Sequence, residues 1–205
     1  MLPVLRATRP TTATIEAYLA AGAEAPFSYA EVGATRGGAA LLPQSVRDAY
    51  DVDEYSARLG LGAELFERAR RALLGWHSFD IPWLELVGGA RPVAVDQVVA
   101  TLVRVAGLWT LNPCRVVYRV DERDDPRCVA FAYGTLPGHA EIGEERFRVS
   151  HSLATDEVRC EVLAFSRPAN LLTRLGYPYA RRLQRRFGRD SLLGLARAAT
   201  RGAPP

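Results

Sequence analysis

Residues 130–151 read AFAYGTLPGHAEIGEERFRVSH and hold three glutamates, Glu141, Glu144 and Glu145, with two of the chain's three histidines, His139 and His151. Carboxyls beside tyrosine hydroxyls and a loop histidine are groups that move protons on small molecules. Burial lifts a carboxyl toward neutrality, and an imidazole titrates there unaided. Side chains alternate across a strand, so position decides which of them can act. In GEERFRVSH the odd positions carry Glu145, Phe147, Val149 and His151, and the even ones carry Glu144, Arg146, Arg148 and Ser150. The odd face is the apolar one. Glu145 is therefore expected on the core side, Glu144 on the solvated side, and Glu141 in the preceding turn. Two readings of Glu145 stand open: a carboxylate reaching solvent from the strand's start, or an acid or base aimed into a cavity.

The same alternation groups Cys114, Val116, Tyr118 and Val120 on one face of CRVVYRVD, and Val129, Phe131 and Tyr133 on one face of CVAFAYGT. It predicts the hydroxyls of Tyr118 and Tyr133 near Glu145, either as packed and satisfied core groups or as catalytic ones. His139, in the loop LPGH, is a bystander or a gating and acid/base group at a cavity mouth. Arg104 interrupts QVVATLVRVAGLW, which is apolar on both faces. It is a snorkelling or ion-paired side chain, or a guanidinium holding a polar group of a ligand. Trp109, Asn112 and Phe147 are the remaining candidate ligand contacts, with Asn112 alternatively serving a turn. Toward the C-terminus, Arg181, Arg185 and Arg189 fall opposite Leu183 and Phe187, as on a solvated helix face. Arg186 lies beside the apolar stripe and is expected to pair with a core carboxylate such as Glu145.

Elements able to position these groups can be read from periodicity. Leu65, Phe66, Ala69, Ala72, Leu73 and Trp76 recur at helical steps in GAELFERARRALLGW. Six β-branched and aromatic segments follow, IPWLELV, QVVATLVRVAGLW, CRVVYRVDE, CVAFAYGT, EERFRVSH and EVRCEVLAFS, separated by short turn signals, which predicts an antiparallel meander. Leu172, Leu175, Tyr179, Leu183 and Phe187 keep a helical step near the end, with Pro178 starting a new helix after Gly176 or kinking one. The expected class is α+β: a curved antiparallel sheet of six to eight strands gripping a long C-terminal helix. A closed antiparallel barrel with peripheral helices is the alternative.

With 205 residues, 48% of them apolar and 24% charged, the chain reads as one domain, 1–205, with residues 1–25 a less certain extension of a core at 26–196. All 26 basic residues are arginine, which excludes lysine Schiff-base chemistry, and a net charge of +3 is small for a nucleic-acid binder. The basic helix face carries no interleaved aromatic side chains, so nucleic acid and anionic membrane are both disfavoured. No stretch is long and apolar enough for a membrane span, and the N-terminus lacks a signal-peptide run. Cys114, Cys128 and Cys160 are widely spaced, without a CxxC pair. They read as buried thiols in a reducing, cytoplasmic setting, with no metal and no cofactor expected.

The segments YAEVGATRG, RLGLGAELFERA, GLWTLNPCRVVY, AFAYGTLPGHAEIGEERF and AFSRPANLLTRLGYP resemble those of an uncharacterised family catalogued as domain of unknown function nineteen-ninety, over about residues 26–196. The family supplies no activity. Independently, the element order resembles the helix-grip fold of START-like proteins and polyketide cyclases, whose C-terminal helix closes over a curved sheet and leaves an apolar cavity. That resemblance implies a cofactor-independent enzyme of the cyclase, hydratase or isomerase kind acting on a hydrophobic, polyketide- or lipid-like molecule. Glu145, Tyr118, Tyr133 and His139 would serve as proton-transfer groups, and Arg104, Trp109, Asn112, Phe147 and Arg186 as substrate contacts. A non-catalytic carrier with the same cavity is the alternative, and the oligomeric state is left open.

Overall fold

The structure, a computed structural model, describes residues 4–124 and 126–201, with the side chains of residues 4, 5, 172 and 173 outside the description. Strand β1 (Val4–Arg6) precedes helix α1 (Thr12–Glu24), whose cap Thr11 accepts the Thr14 amide at 3.2 Å. Next come α2 (Gln44–Ala49), β2 (Asp51–Leu61) and α3 (Ala63–Leu74). Six strands follow: β3 (Leu84–Val87), β4 (Val98–Val105), β5 (Leu108–Glu122), β6 (Arg127–Thr135), β7 (Glu141–His151) and β8 (Glu157–Pro168). Short α4 (Leu171–Leu175) and long α5 (Tyr177–Thr200) close the chain, separated by Gly176, with Pro178 in the first turn of α5.

All pairings are antiparallel, in the order β2-β8-β7-β6-β5-β4-β3, and β1 joins β5 beside the end of β6. The outer strands β2 and β3 do not pair with each other. The sheet is thus open, which rules out the barrel alternative. The layout is a helix-grip arrangement, with α5 lying across one face of the sheet and α3 packed beside it.

Under the C-terminal half of α5 that face is filled. Phe66 and Leu73 of α3 meet Phe131 and Phe147 of the sheet and Leu192 and Leu195 of α5. The rings of Phe131 and Phe147 stack with centroids 5.1 Å apart. Each fully buried side chain of this size stabilises by roughly 1.5–3 kcal/mol. Gly188 sets the approach of the helix, because a Cβ there would lie 2.4 Å from the Tyr55 ring. By contrast, no residue of α5 before Gly188 is buried.

The opposite face is covered as well. Ile15 and Tyr18 of α1 pack on Ala100, Leu102 and Leu111. Tyr29, Leu42, Val46 and Tyr50, from the segment between α1 and β2, pack on Leu163 and Phe165. Two helical turns in that segment, Ala34–Gly37 and Ala39–Leu41, lie over the β7 side of the sheet.

Candidate functional site

Where the first half of α5 stands off the sheet, a cavity of about 520 Å³ opens. Leu183, Gln184 and Phe187 form part of its roof, and Leu108 and Tyr179, 40% and 50% exposed, border its mouth.

Strand β7 supplies the floor. Glu141, Gly143 and Glu145 share its inner face and all line the cavity. Gly143 has φ +155°, and a Cβ there would sit 1.9 Å from the Phe165 carbonyl oxygen, so only glycine lets β8 approach between the two acids. Glu145 is paired across the ladder with Tyr133, whose hydroxyl donates to its Oε2 at 2.6 Å. Burial pushes the Glu145 carboxyl up to about 7, with Asp53 adding repulsion and the Tyr133 hydrogen bond acting in the other direction. Burial likewise lifts the Tyr133 phenol well above its usual range, so it remains a donor.

Glu141 lies four residues away on the same face and is 9% exposed. Burial raises it to about 7, the nearby Asp51 adds to the rise, and Arg181 and Gln184 oppose it. Its Oε2 has no hydrogen-bond partner among the described residues. His139 borders the cavity, and its Nδ1 accepts the Glu141 amide at 2.9 Å. The same Nδ1 lies 3.0 Å from the Glu141 carbonyl oxygen. Burial takes the imidazole down to about 4, against the hydrogen bond to the Glu141 backbone, leaving it neutral at pH 7. Asn112 faces the cavity from the middle of β5 rather than serving a turn. Its amide donates to Thr110 Oγ1 at 3.1 Å, and its Oδ1 accepts the Ala140 amide at 3.3 Å, which ties the His139 loop to the sheet. The turn lies at Ala106-Gly107, both at positive φ, as a tight hairpin requires.

Glu145, Tyr133, His139 and Asn112 are therefore brought together, and five other candidates are not. Tyr118 is on the outer face. The register of β5 on β6 steps from Val116↔Tyr133 to Tyr118↔Ala132, and this bulge reverses the alternation. Its hydroxyl bonds Thr35 Oγ1 at 2.8 Å, and the Arg36 guanidinium lies 4.6 Å from its ring centre. Trp109 also faces outward, where it packs against the α1 cluster. Arg104 is exposed on the outer face, and its Nε donates to Gly107 O at 3.3 Å across the hairpin. Phe147 is on the inner face but lies in the packed core beside the cavity, 1% exposed, among the rings of Phe79, Phe131 and Tyr133. Arg186 turns outward to Asp190 (3.3 Å) and the Trp83 ring (4.8 Å) rather than to Glu145.

Three further expectations are corrected. Glu144 is 2% exposed instead of solvated, because the 27–50 segment covers it. The Tyr29 hydroxyl (2.7 Å), the Gly33 amide (2.6 Å), the Thr35 amide (3.0 Å) and the Thr35 hydroxyl (2.5 Å) all donate to its carboxylate. Arg181, expected on a solvated face, grips Asp53 with both nitrogens, at 2.5 and 2.9 Å. Glu141, expected in the preceding turn, instead opens β7, and Asp53 was passed over, though both had a signal in the alternation. Glu141 keeps step with Glu145 and Phe147, and Asp53 keeps step with Tyr55. Among the described residues no cluster of three or more His, Cys, Asp or Glu side chains could hold a metal ion. The three cysteines are free and buried, and among the described residues no helix is long and apolar enough to cross a membrane.

Among relatives, a UPF0548 protein of Dictyostelium discoideum is 33% identical over 194 residues, covering 89% of this chain and 90% of that protein. A UPF0548 protein of Deinococcus radiodurans is 34% identical over 201 residues, covering 93% and 96%. Among solved structures, the ZhuI aromatase/cyclase from Streptomyces sp. R1128 superposes with a TM-score of 0.49 at 16% identity, over 74% of this chain and 94% of that one. Norcoclaurine synthase from Thalictrum flavum gives 0.43 at 7% identity, over 80% and 95%. The model of the family described as a domain of unknown function, DUF1990, matches residues 28–193, and the chain belongs to that family.

Proposed function

We propose that the cavity binds a small, mainly apolar molecule and that Glu145, assisted by Tyr133, moves a proton on it in a cofactor-independent cyclase-, hydratase- or isomerase-type step. The observation that carries this reading is the Tyr133–Glu145 pair, 2.6 Å apart on the cavity wall, with the carboxyl raised to about 7. Such a group is part acid and part base at neutral pH, the condition under which general acid/base catalysis is most effective. The carboxylate would take a proton from a carbon or hydroxyl of the ligand and return it at another atom, so the step balances without a redox partner. His139, neutral at pH 7, adds an imidazole at the cavity border. Proton transfer of this kind is worth ~10²–10⁴ in rate.

Native mass spectrometry of the purified protein should show a co-purifying small molecule, and Ala164→Phe, which fills the cavity floor beside Glu145 on the neighbouring strand, should remove it. With that molecule in hand, Glu145→Gln should bind it as wild type does and lose turnover by ~10²-fold or more. Undiminished turnover in Glu145→Gln would end the acid/base reading. Binding without turnover in the wild type would make the protein a carrier, a reading favoured by the exposed apolar side chains that border the mouth, Leu108 and Tyr179.

A further inference from the structure

Charge around the cavity is one-sided. The chain carries 26 arginines, yet none is among the lining residues, whose charged members are Asp53, Glu141, Glu144 and Glu145. Glu144 presents only its backbone there, since its carboxylate is held on the outer face, and Asp53 is already neutralised by Arg181. Two acids remain, on one strand face. Glu145 has its tyrosine donor. Glu141 has Gln184 as a hydrogen-bond partner, but its buried Oε2 has no donor, a position that is costly to leave unpaired. The groups facing Glu141 are Tyr177, Arg181 and Gln184 of α5, Asp51 of β2 and the neutral His139; those facing Glu145 are Tyr133 of β6, Asp53 of β2 and Cys114 of β5.

Such a lining repels carboxylates and phosphates and welcomes a cation. Resting on the reading of this cavity as a ligand site, we propose that the ligand carries a protonated amine, which seats on Glu141 while its apolar body runs beneath α5 toward the Tyr133–Glu145 pair. Four residues of extended strand separate the two acids by about 13 Å, so the amine and the reacting atom are on the order of 10 Å apart. Oε2 has no exposed surface, so seating an ammonium there takes a turn of the carboxyl toward the cavity; the charge-assisted bond then supplies the donor that Oε2 lacks. It also favours the ionised carboxylate, so amine binding near pH 7 expels the proton that burial had kept on Glu141.

Three probes of one shape separate the classes: phenylbutylamine, phenylbutanol and phenylbutyrate, titrated calorimetrically into the wild-type protein. The amine should bind ~10-fold or more tighter than the alcohol at pH 8 and the carboxylate weakest of the three. Amine affinity should rise from pH 6 to pH 8, with proton release visible as heat that changes with the buffer. Glu141→Gln should abolish both the preference and the proton release while leaving alcohol affinity within about twofold. The alcohol binding as tightly as the amine, or the preference surviving in Glu141→Gln, would overturn the inference and leave the cavity reading standing. Binding of none of the three would remove both. Should Glu141→Gln fail to fold, as judged by circular dichroism, the ranking and the proton release of the wild type decide the matter alone.

Discussion

Glu144 and Glu145 are consecutive residues on β7, and the two regions they enter treat a carboxylate in opposite ways. On the outer face, Glu144 receives four donors from the Tyr29–Thr35 segment. On the inner face, Glu145 receives one, from Tyr133, and otherwise meets apolar surroundings and the acid Asp53. Burial alone does not tell the two apart. What separates them is the number of donors fixed in place: a carboxylate with all its lone pairs engaged is a structural tie, and one with a single donor keeps capacity for a guest and for a proton.

The largest test of this contrast is isosteric substitution at each position. Glu144→Gln puts an NH₂ among donors and leaves buried groups unpaired, so it should destabilise by about 3–5 kcal/mol, a fall of ~10 °C in the melting temperature. Glu145→Gln should melt within a few degrees of wild type at pH 7. Equal losses at the two positions would break the contrast.

A second test follows from proton linkage. Glu145 ionises near 4.5 in the unfolded chain and about 7 in the folded one. Below about pH 4.5 both states hold the proton, and between 4.5 and 7 only the folded state does. Stability from this group therefore declines as pH rises through that window, by about 3 kcal/mol, and is flat beyond it. His139, depressed to about 4, works oppositely, because it must charge on unfolding below 6.5. The informative quantity is therefore the difference between wild type and Glu145→Gln in urea unfolding at pH 5 and pH 8. That difference should change by about 2.5 kcal/mol against the wild type at the higher pH, part of the window lying below pH 5. A constant difference would place Glu145 in contact with water.

The smallest effects concern the two tyrosines. Tyr133→Phe removes the bond that holds Glu145 down, so the pH midpoint of any Glu145-dependent activity should rise. Tyr118→Phe should cost about 1 kcal/mol through the lost Thr35 contact and leave cavity binding unchanged. A binding defect in Tyr118→Phe would contradict its outward placement.

How much of this was legible in the sequence depended on the range of the interaction. Alternation along 144–151 placed Glu145 inward beside Phe147, and the helical steps of 65–76 chose the buried face of α3, because both patterns are local. Tyr118 was misplaced by a single bulged residue that leaves no compositional trace. Glu144 was expected in solvent because its cover comes from a segment more than a hundred residues away, rich in Ala and Gly and without periodicity. Trp109 and Arg104 sat in a run that reads as one strand but turns at Ala106-Gly107, and α1 covers the face that Trp109 joins. Arg186 and Arg181 exchanged roles because a helical wheel knows nothing of Asp53 on the neighbouring strand.

The four-donor tie on Glu144 also bears on rates. It pins β7 from behind, so the floor carrying Glu141 and Glu145 is built before any guest arrives and cannot yield much to fit one. The roof is different: α5 has no buried residue before Gly188, and Gly176 separates it from α4. On the proposed reading, shape selection would be exercised at the floor and exchange would be governed by the first turns of α5, so substitutions at Tyr179 or Leu183 should alter how fast a guest exchanges more than which guest is accepted.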